Sequence, residues 1–339
     1  EKMRNIYDLT IKELEDYFIS INEKKFRAVQ VYEALYKRRI KSFDDMTNIS
    51  KEVREKLKQD FSFYKIKMLI KQQGKNVNKY LFELEDGNKI ESVLMFHDYG
   101  TSICVSSQVG CNMTCAFCES GRLKKVRNLL AYEIVQQILQ IEEDINKRIT
   151  HVVLMGIGEP FDNYDNVLRF VKIINCGKGI DIGSRHITIS TCGVIPGIKK
   201  FMNEEGQVNL AISLHAPNNT LRSRIMPINK AYPLNELMET IKEYINKTNR
   251  RVTFEYIMLD NVNDSEENAK ELAILLKGIN CYVNLIPYNE TENIEFKRTK
   301  EWKIMKFYDI LKKNKINVTI RKEFGGSVDA ACGQLRANN

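Results

Sequence analysis

Over residues 1 to about 60, apolar positions recur at three- and four-residue intervals. The spacing predicts helices over Leu9 to Ile19 and Phe26 to Tyr36, and a third that opens near Ser50 and runs through Val53 and Leu57. From about residue 66 to 107 the period drops to two. Lys79 to Leu84, Lys89 to Met95 and Thr101 to Ser107 read as strands, with Asp86-Gly87 as a hairpin turn between the first pair. The period then lengthens again. Ile134, Val135, Ile138, Leu139, Ile141 and Ile145 form a helical stripe within Ala131 to Asn146. After it, strands at His151 to Met155, His186 to Ser190, Val208 to Ser213, Val252 to Met258, Tyr282 to Ile286 and Asn317 to Ile320 alternate with helices. Those helices lie at Asn166 to Ile174, Ile195 to Met202, Leu234 to Ile245, Ser265 to Leu276 and Lys300 to Lys312. No repeat of fixed period and no low-complexity segment interrupts the series.

Repeated β-α units imply a parallel sheet, and about six of them suggest a closed or partial barrel. The expected fold is therefore α/β, a partial (β/α)6 barrel with a small helical N-terminal domain. The pattern divides the chain into a helical unit over 1–62, a β-hairpin extension or linker over 63–98, and a barrel over 99–339 that ends in a cysteine-bearing loop. Active residues of such barrels sit at the carboxyl ends of the strands.

The chain has 339 residues, 43% of them hydrophobic, and no apolar run approaching the length of a membrane span. Glu1 to Asp16 shows no signal peptide pattern, so a cytoplasmic location is expected, with no membrane partner. Eight cysteines in a chain of this length point to reduced thiols rather than a disulfide scaffold. The formal charge of +8 favours an anionic partner. Lys24, Lys25, Arg27, Lys37, Arg38, Arg39 and Lys41 cluster around Phe26, Tyr32 and Tyr36. This cluster could be an RNA face, with cations on phosphates and rings on bases, or a solvated helix whose aromatics face its own core.

Candidate chemistry centres on Cys111, Cys115 and Cys118, three thiols within eight residues just after an apolar strand. Such spacing serves a metal rather than packing. Structural zinc wants a closed set of four ligands, and no fourth cysteine lies nearby; an iron-sulfur cluster with one open iron fits better. Gly156-Ile157-Gly158-Glu159 follows a strand and lets a backbone edge approach a ligand, with Glu159 able to take an ammonium. Ser190, Ser213 and Asn289 are strand-end polar groups that satisfy local backbone as readily as a ligand, and His215 reads equally as a hydrogen-bonded core histidine. Glu91 alternates with Ile90 and Ser92 in its strand, which most simply places it on a wet face. Cys332 lies in a run of small residues after the last strand, where a reactive thiol and a core one are equally plausible. Cys104, Cys176, Cys192 and Cys281 read as structural thiols.

The triad matches the CxxxCxxC motif of radical S-adenosylmethionine (SAM) enzymes. Ser106-Ser107-Gln108-Val109-Gly110-Cys111-Asn112-Met113, Met155-Gly156-Ile157-Gly158-Glu159-Pro160, Ser213-Leu214-His215 and Ala330-Ala331-Cys332-Gly333-Gln334-Leu335 closely resemble the RlmN/Cfr family of adenine-methylating RNA methyltransferases, over nearly the whole chain. Pro160 and the segment from Lys25 to Lys37 look more like the RlmN branch, whereas Glu119-Ser120-Gly121-Arg122 departs from the Ala-Thr-Gly common to both.

The resemblance implies a barrel of the radical SAM type and a helical domain that holds RNA. It implies a 4Fe-4S cluster on Cys111, Cys115 and Cys118, and SAM against Gly158, Glu159, Ser190, Ser213, Leu214, His215 and Asn289. It makes Cys332 the methyl carrier, Glu91 the base and Cys104 the thiol that resolves the adduct. The implied reaction consumes two SAM per turnover and methylates carbon 2 of an adenine in 23S ribosomal RNA, with a transfer RNA adenine as a further substrate; carbon 8 is the Cfr-type alternative. An electron donor such as flavodoxin or ferredoxin and a monomeric enzyme complete the expectation.

Overall fold

A computed structural model of the chain describes residues 2–321. Its N-terminal unit holds helices α1 (Ile11–Ser20), α2 (Arg27–Tyr36) and α3 (Lys51–Asp60). The first starts later than its apolar pattern suggests because Thr10 caps it: the Thr10 hydroxyl accepts from Glu13 N–H at 3.3 Å, and the Glu13 carboxylate accepts from Thr10 N–H at 3.0 Å. Ser50 caps α3 in the same way through Val53 N–H.

Tyr32 and Tyr36 are buried, their rings edge to face at 5.0 Å, and the Tyr32 hydroxyl donates to Leu9 C=O. These two rings therefore serve the unit's own core and do not stack on bases. Phe26 is 53% exposed, with the Arg27 guanidinium over its ring. Arg39 turns the other way and pairs with Glu142 of the barrel at 2.6 Å. Arg169–Glu13 and Tyr132 N–H to Asp8 add further ties between unit and barrel.

One sheet of ten strands forms the rest: β1 (Lys67–Gln73), β2 (Val77–Glu83), β3 (Lys89–His97), β4 (Gly100–Cys104), β5 (His151–Leu154), β6 (Ile187–Thr191), β7 (Asn209–Ser213), β8 (Val252–Met258), β9 (Cys281–Pro287) and β10 (Val318–Ile320). They lie in sequence order, antiparallel from β1 to β4 and parallel from β4 to β10. Residues 63–98 thus contribute strands that extend the barrel's own sheet. The sequence pattern does not mark β1, because Lys67, Lys71, Gln72 and Gln73 give it no continuous apolar face. Among the described residues β1 and β10 do not pair, so the barrel stays open.

Six helical connections cover the outer face of the sheet: α4 (Ala131–Ile145), α5 (Tyr164–Asn175), α6 (Ile195–Phe201), the pair α7 (Asn219–Ile225) and α8 (Leu234–Thr248), α9 (Glu266–Leu276) and α10 (Glu301–Lys313). Their apolar stripes pack on outward strand residues such as Ile189, Phe254 and Val283, all fully buried. Each fully buried side chain of this kind stabilises by about 1.5–3 kcal/mol. No described helix is long and apolar enough to cross a membrane. The resulting architecture is an open α/β barrel with a small helical N-terminal unit.

Candidate active site

Strand register decides what faces the inside. Lys79 stands opposite Val93, Val93 opposite Cys104, and Cys104 opposite Val153, a row across β2 to β5 on one face. All four line a cavity of about 360 Å³ inside the sheet, as does Glu91, two residues from Val93. Glu91 is therefore not on a wet face. It is 2% exposed and its carboxylate meets the Lys79 ammonium at 3.0 Å, with Lys79 itself fully buried. The Ser106 hydroxyl donates to the Glu91 carbonyl at 2.6 Å and holds the strand edge in place. Burial, above all, pushes the Cys104 thiol up to about 11, against the opposing pull of Arg321 and Lys79.

The cysteine loop joins β4 to α4. Gly110, at φ +77°, brings its backbone against Lys124, and Cys111 N–H donates to Leu123 C=O at 2.8 Å. Ala116 N–H donates to Ile225 C=O at 2.9 Å, which ties the loop to the far side of the barrel. Cys111, Cys115 and Cys118 all line the cavity. Burial raises Cys111 to about 12 and Cys115 further, and each rises again because of the thiols beside it. Such crowded thiols become thiolates only against a compensating cation. Among the described residues no three ligating side chains converge on one metal ion, and a cubane cluster asks for no such convergence, since each thiolate meets a different iron.

The loop after β5 forms the next wall. Gly158 has φ +113°, and a Cβ there would lie 2.7 Å from the Gln108 side chain. Glu159 is fully engaged by the protein: its carboxylate accepts from Phe161 N–H and Cys192 N–H at 2.8 Å and from the Thr191 hydroxyl at 3.0 Å. It acts as a strut between the β5 loop and the end of β6, although it also borders the cavity. Ser190, Ser213, His215 and Asn289 complete the rim from β6, β7 and β9.

His215 has φ +59°, unusual for a non-glycine residue, and its Nδ1 accepts from Ile257 N–H at 2.9 Å. That bond places the ring proton on Nε2. Burial, with Arg222 and Arg321 nearby, lowers the ring to about 3, so it is neutral at physiological pH. Its ring meets Phe117 of the cysteine loop edge to face at 4.9 Å. Leu214 differs from its neighbours. Its side chain is in the apolar core and outside the cavity wall, and its carbonyl accepts from Arg222 at 3.0 Å. Cys332 lies outside the described residues.

Residues 4–62 match the ribosomal RNA large subunit methyltransferase N-terminal domain, and residues 105–273 match the radical SAM superfamily. The chain is 54% identical over 341 residues to a probable dual-specificity RNA methyltransferase RlmN of Spiroplasma citri, covering 99% of this chain and 98% of that one. The chain belongs to the RlmN family of radical SAM RNA methyltransferases. It is 55% identical to a Streptococcus thermophilus protein of the same name, covering 98% of this chain and 88% of that one. Among solved structures, a radical SAM methyltransferase from Sphaerobacter thermophilus superposes with a TM-score of 0.92 at 40% identity, covering 98% of both chains.

The radical SAM family implies SAM and a 4Fe-4S cluster, and the donor set fits both. Three cavity-facing thiols in the family spacing would hold the cluster, and the open rim from Gly156 to Asn289 would hold SAM. Sequence reasoning misses the groups that support these walls of the RlmN-type site. Arg222 is fully buried and donates to the carbonyls of Cys192, Ser213 and Leu214, pinning β6 and β7 beside Cys115. Cys192, read as a structural thiol, borders the cavity. Glu255 and Arg321 stand lower on the same face. Lys79 alone left a signal, a cation two residues from Val77 in a strand whose centre is the apolar run Tyr80-Leu81-Phe82, at a register set by the Asp86-Gly87 turn.

Proposed function

We propose that the chain methylates carbon 2 of an adenine in 23S ribosomal RNA, and of a transfer RNA, through a methylated Cys332. The observation that carries this reading is the shared inward face of Glu91 and Cys104, on the wall of the cavity that Cys111, Cys115 and Cys118 also line. The dual-specificity names of the relatives support two RNA substrates. Cys111, Cys115 and Cys118 would hold a cluster that, reduced by a donor such as flavodoxin or ferredoxin, would supply radical chemistry from SAM, the kind of reagent that an electron-poor ring carbon requires.

The protein's own groups do the rest. Cys332, as its thiolate, takes a methyl from one SAM, which leaves as S-adenosylhomocysteine, and presents that methyl; a second SAM would serve the radical step. Lys79 holds the Glu91 carboxylate at 3.0 Å in a buried site, where it is placed to accept the proton from the ring carbon of the adduct. Once the odd electron of the adduct has left by the route through which the donor's electron entered, the Cys104 thiolate attacks the Cys332 sulfur: the S–S bond forms as the S–CH2 bond to the base breaks, and the released carbon takes a proton to become the methyl group. His215, neutral and fixed as its Nε2–H tautomer, offers a donor to the cofactor side of the cavity.

Mass spectrometry of nucleosides, after incubation of the reconstituted protein with ribosomal RNA, SAM and a reductant, tests the proposal. 2-Methyladenosine is the expected product. 8-Methyladenosine would replace carbon 2 by the Cfr-type reaction, and an unmodified nucleoside pool would overturn the reading.

A further inference from the structure

The barrel interior continues below this cavity. Val153, Met155, Glu255 and Arg321 line the upper cavity and also a second one, of about 740 Å³, that reaches towards the amino ends of the strands. Inward positions of parallel barrels are usually filled by bulky branched side chains. Here Thr188, Asn209, Ala211 and Thr253 occupy them, and small or polar groups leave the volume open.

Charge is lopsided in this lower chamber. Arg185, Arg250, Arg251 and Arg321 line it against one carboxylate, Glu255, and Glu255 already accepts from Asn284 at 3.0 Å. Around its mouth the three remaining arginines are held by neutral partners. Arg185 donates to Gln207 at 2.7 Å, Arg250 to Asn209 at 2.8 Å, and the Arg251 guanidinium lies 5.0 Å over the Tyr282 ring. The Arg250 Nε is buried and has no hydrogen-bond partner among the described residues.

We infer that this lower chamber binds a phosphate-bearing anion, at a site separate from the cysteine-lined cavity. Arg185, Arg250 and Arg251 take the phosphate, because planar guanidinium forks match its oxygens two at a time. Thr188, Asn209 and Thr253 meet the polar remainder of the ligand. A volume of about 740 Å³ suits a small phosphorylated molecule. The same chemistry would accept a phosphodiester of bound RNA.

Calorimetry of the full reconstituted chain with pyrophosphate tests the inference. Saturable one-to-one binding is expected. Arg250→Gln with Arg251→Gln should weaken it by at least about tenfold, the loss of charge-assisted bidentate contacts. Arg251→Gln alone replaces an exposed side chain, so a weakened affinity with an unchanged melting temperature keeps the test valid should the double variant fold poorly. Binding that survives Cys115→Ala places the site outside the cluster cavity. A short RNA oligonucleotide that competes with pyrophosphate assigns the phosphate to RNA, and one that does not assigns it to a free small molecule. Absence of saturable pyrophosphate binding, or binding indifferent to the arginine substitutions, would overturn the inference.

Discussion

Two walls of the upper cavity are built on opposite principles. The cysteine wall is local: Cys111, Cys115 and Cys118 lie within eight residues and reach the cavity because one loop carries them there. The Lys79–Glu91–Cys104 wall is assembled from three strands, each contributing one side chain at a position set by pairing register. A slip of one residue in β3 would turn Glu91 to the opposite face of the sheet and leave Lys79 buried without its partner. Local walls tolerate structural drift elsewhere in the chain. Register-built walls tie their chemistry to the stability of the sheet, and each can be perturbed separately.

The largest effect belongs to the cysteine wall. Cys115→Ala should abolish the visible absorption of iron and sulfide after anaerobic reconstitution, and methylation with it, while the thermal midpoint stays close to that of the unsubstituted chain. A large loss of stability would show that the loop is as structural as the strands.

Next comes the ion pair. Lys79→Met strands the Glu91 charge in the interior and should destabilise by about 3–5 kcal/mol in denaturant unfolding. Lys79→Met combined with Glu91→Gln should recover most of that loss, since no lone charge remains buried. If the double variant is as unstable as the single one, packing rather than charge holds this wall.

His215 links the two walls to pH. Its ring is held near 3 in the folded chain against an ordinary 6.5, chiefly by burial. The unfolded chain therefore takes up a proton that the folded chain refuses. This stabilising contribution is fully present above about pH 6.5 and is lost as pH falls towards 3, on the order of a few kcal/mol. Burial raises the carboxyls of Glu159 and Glu255, which acts in the opposite sense at low pH. The difference between the unsubstituted chain and His215→Gln, measured as unfolding free energy against pH, isolates the imidazole. A difference that does not change across this window would refute the buried neutral ring.

The smallest effect lies at the hairpin turn. Arg127 bonds to Asp86 at 2.8 Å and, chiefly through that bond, holds the carboxyl at about 2. Asp86 keeps 39% of its side chain exposed, so Asp86→Asn should cost only about 0.5 kcal/mol, and only above the usual carboxylate range. A larger cost would mean that this turn contributes more to the register of the Glu91 wall than a surface pair does.

Much of this architecture was legible in the chain because its signals are short-range. Helix stripes, Ser50 as a cap, the Asp86-Gly87 turn and six β-α units all follow from periodicity and local chemistry. β1 escaped because its polar residues, exposed or half-exposed along its length, give it no continuous apolar face. Tyr32 and Tyr36 could face RNA or a core, and only the packing of α2 decided for the core. Leu214 sat in a cofactor motif, yet strand alternation sends its side chain outward to the helices, while Ser213 and His215 reach the cavity.

By itself, then, the sequence determined the elements other than β1, their order and the three-cysteine loop, since each depends on residues within a few turns of one another. Tertiary structure alone decided that Glu91 is buried against Lys79, that Glu159 is a strut, and that Arg222 braces the strands beside Cys115. Those contacts join residues far apart in the chain. A charged side chain looks the same in sequence whether water or protein surrounds it, and its desolvation, which sets both its cost and its chemistry, exists only once the sheet has closed over it.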